Sequence, residues 1–400
     1  MLIGPNASGK TTFLDVVAFL GRLVSEGLDA AIGERTQNFE DLLWNREGES
    51  FELAIELAVP EPLRSRLRDP ESSTVRYEVV IGLLDSETLE VGFLDERVFL
   101  LSDQVKEARQ PGQRLLFPEA AEPPATLCMP IPTRGASQLV LRKVPGGNDN
   151  FYSETYSAKG KGWVPAFKLG PRRSALANLP EDETRFPVSI WLKSLLSNSI
   201  EQLVLNSLAI RRASPPGRGA SFSADGSNLP WVVRDLEHDH PERLQAWVEH
   251  MSTALTDLEG VRTVERSDDR HRYLMLRYRG GLEIPSWMAS DGTLRLMALT
   301  LPAYLPDFSG TYLIEEPENG IHPRAVDTVF QSLSSVYGAQ LLLATHSPVV
   351  LGIVELEQLL CFAKTMNGAT DIVAGDRHPA LRDWRREVNL SVLYAAGVLG

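Results

Sequence analysis

The chain opens Met1-Leu2-Ile3-Gly4-Pro5-Asn6-Ala7-Ser8-Gly9-Lys10-Thr11-Thr12, which fits G-x-x-x-x-G-K-[ST] and runs into the apolar-periodic stretch Phe13, Val16, Val17, Leu20. The order is short strand, glycine turn, helix. Gly4 and Gly9 permit backbone angles that turn successive N–H groups inward, and the start of the helix adds a favourable dipole. A phosphate chain would therefore be cradled by Gly4, Pro5, Asn6, Ala7, Ser8 and Gly9, with Lys10, Thr11 and Thr12 following. Lys10 can reach the β/γ-phosphates and the Thr11 hydroxyl is of the type that ligates magnesium. Only Met1, Leu2 and Ile3 precede Gly4, whereas such a turn normally follows a longer buried strand. The expectation is that this strand begins upstream.

A second segment lies far downstream. Thr311-Tyr312-Leu313-Ile314-Glu315-Glu316-Pro317-Glu318-Asn319-Gly320 is an apolar strand ending in two adjacent carboxylates and a turn. Neighbouring strand residues point to opposite sides, so adjacent carboxylates can take different tasks. Glu315 is assigned to magnesium, through water, and Glu316 to the general base for an attacking water. Gln340-Leu341-Leu342-Leu343-Ala344-Thr345-His346-Ser347-Pro348 is another buried-strand run with a polar cap, and a helical stretch separates the two. Strand, helix, strand implies a parallel sheet, which puts His346 at a carboxyl end beside the nucleotide crevice, able to donate to a γ-phosphate. Upstream, Ala289-Ser290-Asp291-Gly292-Thr293 opens the helical pattern Leu294, Leu296, Met297, Leu299. Taken alone this turn reads as an ordinary helix cap.

Composition narrows the classes. The 400 residues carry 40 Lys+Arg against 53 Asp+Glu, a net charge of −13, which excludes a globally basic nucleic-acid binder and leaves only local basic patches. Arg211, Arg212 and Arg218 around Pro215-Pro216-Gly217 are such a patch and make DNA contact a possibility to test. Two cysteines, Cys128 and Cys361, without a CxxC pair, offer neither a disulfide framework nor a cysteine zinc site, and a cytoplasmic location is expected. No segment reads as a membrane span.

The four pieces, in this order, resemble the ABC-type ATPases of the group that includes OLD-like and RecF/SMC-like proteins and many bacterial defence ATPases. Ile314 to Arg324 resembles that group's Walker B and D-loop, Thr345 to Pro348 its His switch, and Ala289 to Leu296 a reduced signature motif. Ser174-Ala175-Leu176 and Asp225 to Pro230 resemble further recurrent stretches. The resemblance implies an α/β P-loop NTPase head with a mixed central sheet, an antiparallel β-lobe and a helical insertion. It implies ATP and Mg2+ as ligands and a homodimer sandwiching two ATP molecules, the glycine turn of one copy facing Ser290 and Gly292 of the other. Two departures stand out: Asp291 replaces a glycine and Glu315 replaces the commoner Asp. Gln37 is the candidate Q-loop glutamine.

Between Thr11 and Ser290 lies far more chain than such a head needs, so an insertion is expected. The reading divides the chain into 1–49 (P-loop part), 50–171 (β-lobe with a loop-rich, mobile insertion), 172–280 (helical subdomain) and 281–400 (signature, Walker B and His switch). Residues 51–57 and 75–81 alternate apolar and polar, as in a half-exposed antiparallel sheet. Ile190, Leu192, Leu195, Leu196, Ile200, Leu203 and Val204 recur at helical spacing, and a second helix is expected from Pro241 through Leu255. A strand is expected near Leu359 to Ala363, followed by the pattern Trp384, Val388, Leu390, Leu393. No sustained heptads appear, against long coiled-coil arms. Only 54 residues follow His346, too few for the nuclease domain of full OLD-type proteins, so the resemblance implies either a separate effector protein, a nuclease or toxin, or a bare ATPase switch. The alternatives are the energy subunit of a transporter, disfavoured by the insertion, and a weakly hydrolysing nucleotide-dependent scaffold.

Overall fold

The computed structural model describes residues 1–85, 87, 89–103, 124–131, 137–155, 166–217, 221–347 and 354–378. Arg218, Pro348, the terminal pattern 384–393 and much of the expected loop-rich insertion lie outside these residues. The chain forms two compact units, Met1–Leu14 with Glu201–Gly400, and Asp15–Ile200. Strand β1 (Leu2–Ile3) leads through the glycine turn into helix α1 (Lys10–Ser25), which belongs to the first unit as far as Leu14.

In the second unit an antiparallel sheet runs in chain order: β2 (Ser50–Ala58), β3 (Ser72–Asp85), β4 (Glu90–Ser102), β5 (Ser137–Lys143), β6 (Asp149–Phe151), β7 (Ala166–Phe167). The antiparallel sheet expected for residues 51–57 and 75–81 is present, and the two stretches pair directly, Leu53 opposite Val79 and Ile55 opposite Tyr77. The expected half-exposure holds in β2 and fails in β3. β3 is buried on both faces from Ser72 to Val79. Its polar side is closed by ion pairing, with Arg76 2.5 Å from Glu78 and 2.7 Å from Glu56, and by Met129, whose N–H donates to Glu78 Oε1 at 2.9 Å. Alternation in sequence marks two faces; covering both takes a partner segment that periodicity cannot see.

Two buried carboxylates organise the rest of this unit. Glu96 accepts from the Tyr77 hydroxyl, the Ser174 hydroxyl and the N–H groups of Ala175 and Leu176, so the Ser174 to Leu176 stretch is a turn wrapped on an anion. Glu154 accepts from the N–H groups of Val188 and Ser189 at 2.6 and 2.9 Å, capping helix α2 (Pro187–Asn198). Burial pushes the Glu154 carboxyl up to about 7, against these donors, which favour the anion. A pKa raised above the ordinary 4.5 means the folded state keeps a proton that the unfolded chain loses. This contribution to stability is complete below about 4.5 and is lost as pH rises through about 7, a swing on the order of 3 kcal/mol. Melting temperature should therefore decline from about pH 5 to 8, and Glu154→Gln should flatten that decline in calorimetric scans across the range.

The helical spacing read past Asn198 gives way to strand β8 (Ile200–Leu203) at the edge of the main sheet, where Leu203 is buried in the hydrophobic core. Asn228 of the Asp225 to Pro230 stretch accepts from Ser223 N–H and donates to Ser221 O, setting the start of α3 (Leu229–Asp239). α4 (Pro241–Ser252) follows at the expected Pro241, then a small antiparallel sheet of β9 (Leu258–Glu265), β10 (Arg272–Tyr278) and β11 (Leu282–Pro285). Next come α5 (Asp291–Thr300), β12 (Gly310–Glu315), α6 (Pro323–Ser334), β13 (Ala339–Ala344), β14 (Leu360–Lys364) and β15 (Thr370–Ala374).

The main sheet runs β15-β14-β1-β13-β12-β8. β12 pairs parallel with β13, as expected, and β1 lies parallel between β13 and β14, Leu2 opposite Ala344 and Ile3 opposite Cys361. Short as it is, β1 fills the central position, with Leu2 and Ile3 essentially unexposed. β15 returns antiparallel, so the sheet is mixed. Among the described residues no helix is long and apolar enough to cross a membrane.

Candidate nucleotide site

The strand order brings three carboxyl-terminal ends together: β1 with the glycine turn, β13 with His346, and β12 with the paired glutamates. The glycine turn adopts left-handed backbone at Gly4, Ala7 and Gly9. Two of these must be glycine for reasons of space as well as angle. A Cβ on Gly4 would lie 2.3 Å from Phe362 O, and one on Gly9 would lie 2.4 Å from Thr370 Oγ1. The turn is thus pressed against the β14–β15 hairpin, and the Thr370 hydroxyl donates to Ser8 O at 3.0 Å. No motif in the sequence pointed to Thr370, because a lone threonine on a late strand carries no signal.

Lys10 is 6% exposed and its Nζ donates to Gly4 O at 2.9 Å and Pro5 O at 2.8 Å, so the ammonium lies across its own loop. Burial pushes this amine below its usual range, while the charges of Glu316 and Glu315 oppose that shift. The Thr11 hydroxyl donates to Glu315 Oε2 at 2.8 Å across 304 positions of sequence. A hydroxyl and a carboxylate oxygen side by side are hard donors of the type magnesium takes, its remaining positions being left to phosphate and water. No group of three or more His, Cys, Asp or Glu that could hold a metal ion gathers among the described residues.

Glu316 sits just past the strand with φ of +44°, an uncommon conformation for a residue with a side chain. It is held there by its N–H donating to Ala344 O at 2.8 Å, by Asn319 N–H donating to its carbonyl, and by the Asn319 amide donating to Oε2. His346 Nε2 lies 3.8 Å from Glu316 Oε1. The two adjacent glutamates therefore face different company: Glu315 meets Thr11, and Glu316 meets His346.

Ser290 and Gly292 make their contacts elsewhere. Ser290 caps α5, its Oγ accepting from Thr293 N–H at 3.1 Å, and a Cβ on Gly292 would lie 2.9 Å from Gly320 O. Both border a cavity of about 350 Å³ that is floored by Leu255, Leu296 and Ile321 and edged by His322 and Arg324. The departure at Asp291 is compensated: Arg211 Nη2 stands 2.5 Å from Asp291 Oδ1, and Nη1 donates to Trp287 O at 2.9 Å. The basic patch read at Arg211 and Arg212 is thus partly engaged within the fold. Gln37 lies exposed in the second unit, before a 3-10 turn at Phe39–Leu42.

A glycine turn after a central parallel strand, with a carboxylate-ended strand two places away and a histidine-ended strand between them, defines the fold of a P-loop NTPase head. The family described as "AAA domain, putative AbiEii toxin, Type IV TA system" matches residues 148–352, just over half of the chain, and the chain belongs to that family. The matched span takes in Ser290, both glutamates and His346 but not the glycine turn.

Among solved structures the chain is similar to an SMC head bound to the C-winged helix domain of ScpA, at 13% identity and a TM-score of 0.45. It is also similar to the SMC head with an extended coiled coil bound to the C-terminal domain of ScpA derived from Pyrococcus furiosus (12%, 0.46) and to the SMC head domain from Thermotoga maritima (12%, 0.34). Each covers 93% of this chain and 88% of the other. No curated protein matches.

Proposed function

We propose that this chain binds and hydrolyses MgATP and works as a nucleotide-dependent dimeric switch. The observation that carries the reading is the Thr11–Glu315 hydrogen bond, which joins the glycine turn to the carboxylate-ended strand with Lys10 and Glu316 beside them. Bound magnesium would neutralise phosphate charge and orient the terminal phosphoryl group. Lys10 exchanges its loop carbonyls for phosphate oxygens, and the left-handed turn offers its N–H groups to the same chain of phosphates. Glu316 accepts the proton of the attacking water, and His346, within reach of Glu316, donates to the γ-phosphate.

Ser290 and Gly292 would act on the nucleotide of a second copy. The cavity at the start of α5 supports this, since Ser290 and Gly292 border it, no residue of the glycine turn does, and Ser290 is exposed. The Arg211 pairing lowers the electrostatic objection that Asp291 raises against an approaching phosphate. Ser290→Arg should leave ATP binding by the monomer within about threefold while abolishing ATP-induced dimers, a cap loss of about 1 kcal/mol being too small to unfold the chain. Sedimentation with and without ATP decides it; dimers and turnover that survive the substitution overturn the sandwich. A separate effector in the cytoplasm, a nuclease or toxin, completes the reading; the family description places such chains in a toxin–antitoxin system and names no partner. DNA contact stays a subordinate possibility, tested by salt-dependent binding.

A further inference from the structure

Glu318, three residues beyond Glu315, is assigned no task by the reading above. Its Oε1 accepts from the Thr345 hydroxyl at 2.7 Å and from the His346 N–H at 3.1 Å. The Thr345 hydroxyl in turn accepts from Ser347 N–H at 2.9 Å, so one carboxylate oxygen organises the whole 345–347 turn. Thr345 is 1% exposed, and its own N–H donates to Leu2 O at 3.2 Å, tying the same residue to the strand before the glycine turn. The other oxygen, Glu318 Oε2, is shut off from solvent with no hydrogen-bond partner among the described residues. A buried acceptor left unmatched is costly, and here it is tolerated beside an oxygen that collects two donors.

We infer that Glu318 is the positioning residue of His346: its carboxylate clamps the turn after β13 and so fixes the backbone that carries the imidazole to Glu316. This deepens the proposed hydrolysis and rests on it. Glu318 touches no reacting atom; it acts through the backbone of 345–347. The clamp needs reach and an acceptor rather than charge. Glu318→Asp keeps the charge but is one methylene shorter and cannot hold both donors, whereas Glu318→Gln keeps an acceptor oxygen at full length.

The test compares the two variants in the full chain with MgATP. Glu318→Asp should lower kcat about tenfold or more, with affinity for a non-hydrolysable ATP analogue within about threefold, and should speed exchange of the His346 amide about tenfold. Glu318→Gln should stay near the parent in both readouts. Thr345→Val, which deletes one of the two donors to Glu318 together with the acceptor of Ser347 N–H, should move both readouts in the direction of Asp and serves if the Asp variant does not fold. The assignment is overturned if Glu318→Asp keeps kcat and amide protection, or if Gln falls as far as Asp, which would make charge the requirement. A parent chain that hydrolyses no ATP would sink the proposed function, while amide exchange in the same variants would still decide the clamp.

Discussion

Lys10→Ala should abolish measurable ATP binding, weakening it by about a hundredfold or more. The ammonium donates to two loop carbonyls, at 2.8 and 2.9 Å, and the residue is 6% exposed. Charge-assisted bonds to phosphate in such a setting are about twice as strong as neutral ones, and alanine leaves the anion facing Glu315 and Glu316 alone. The same substitution removes a buried positive charge from beside two carboxylates, so magnesium without nucleotide should bind no worse. Titration calorimetry with ATP and magnesium checks this. Unchanged nucleotide affinity would refute the assignment of the glycine turn.

Glu316→Gln should leave ATP binding within a few-fold and cut turnover by about 10² to 10⁴, the range for loss of a general base. Glutamine has the length of glutamate and can keep an oxygen toward Asn319, so the left-handed turn at φ +44° has the same supports. What it lacks is the capacity to take a proton. On the dimer reading the variant should accumulate ATP-bound dimers that the parent chain dissipates. Single-turnover assays combined with sedimentation separate the two effects. Parent-like hydrolysis would move the base to another residue; slow hydrolysis without dimers would keep the base and remove the sandwich.

Much of the first unit is legible in the sequence. The glycine turn, the paired carboxylates and the Thr345 to His346 cap are local patterns whose chemistry depends on neighbours in sequence, and apolar runs of strand length mark β12 and β13 wherever they pack. Local pattern misled in two places. Helical spacing carried past Asn198 into β8, because apolar residues three or four apart also occur on strands, and alternation in β3 suggested a wet face that residues 124–131 in fact cover through Met129.

What the sequence by itself determined was the inventory of local patterns: a glycine turn, two carboxylates, one histidine and a capped helix, each defined within about a dozen residues. Tertiary structure decided the company they keep. The contacts of Thr11 with Glu315, Glu318 with Thr345, Thr370 with Ser8 and Arg211 with Asp291 span 304, 27, 362 and 80 positions. Such pairings follow from strand order and crossover, which are set by the summed burial of whole sheets and helices rather than by any local preference. A single threonine or arginine carries no mark of the partner that a distant strand will bring to it.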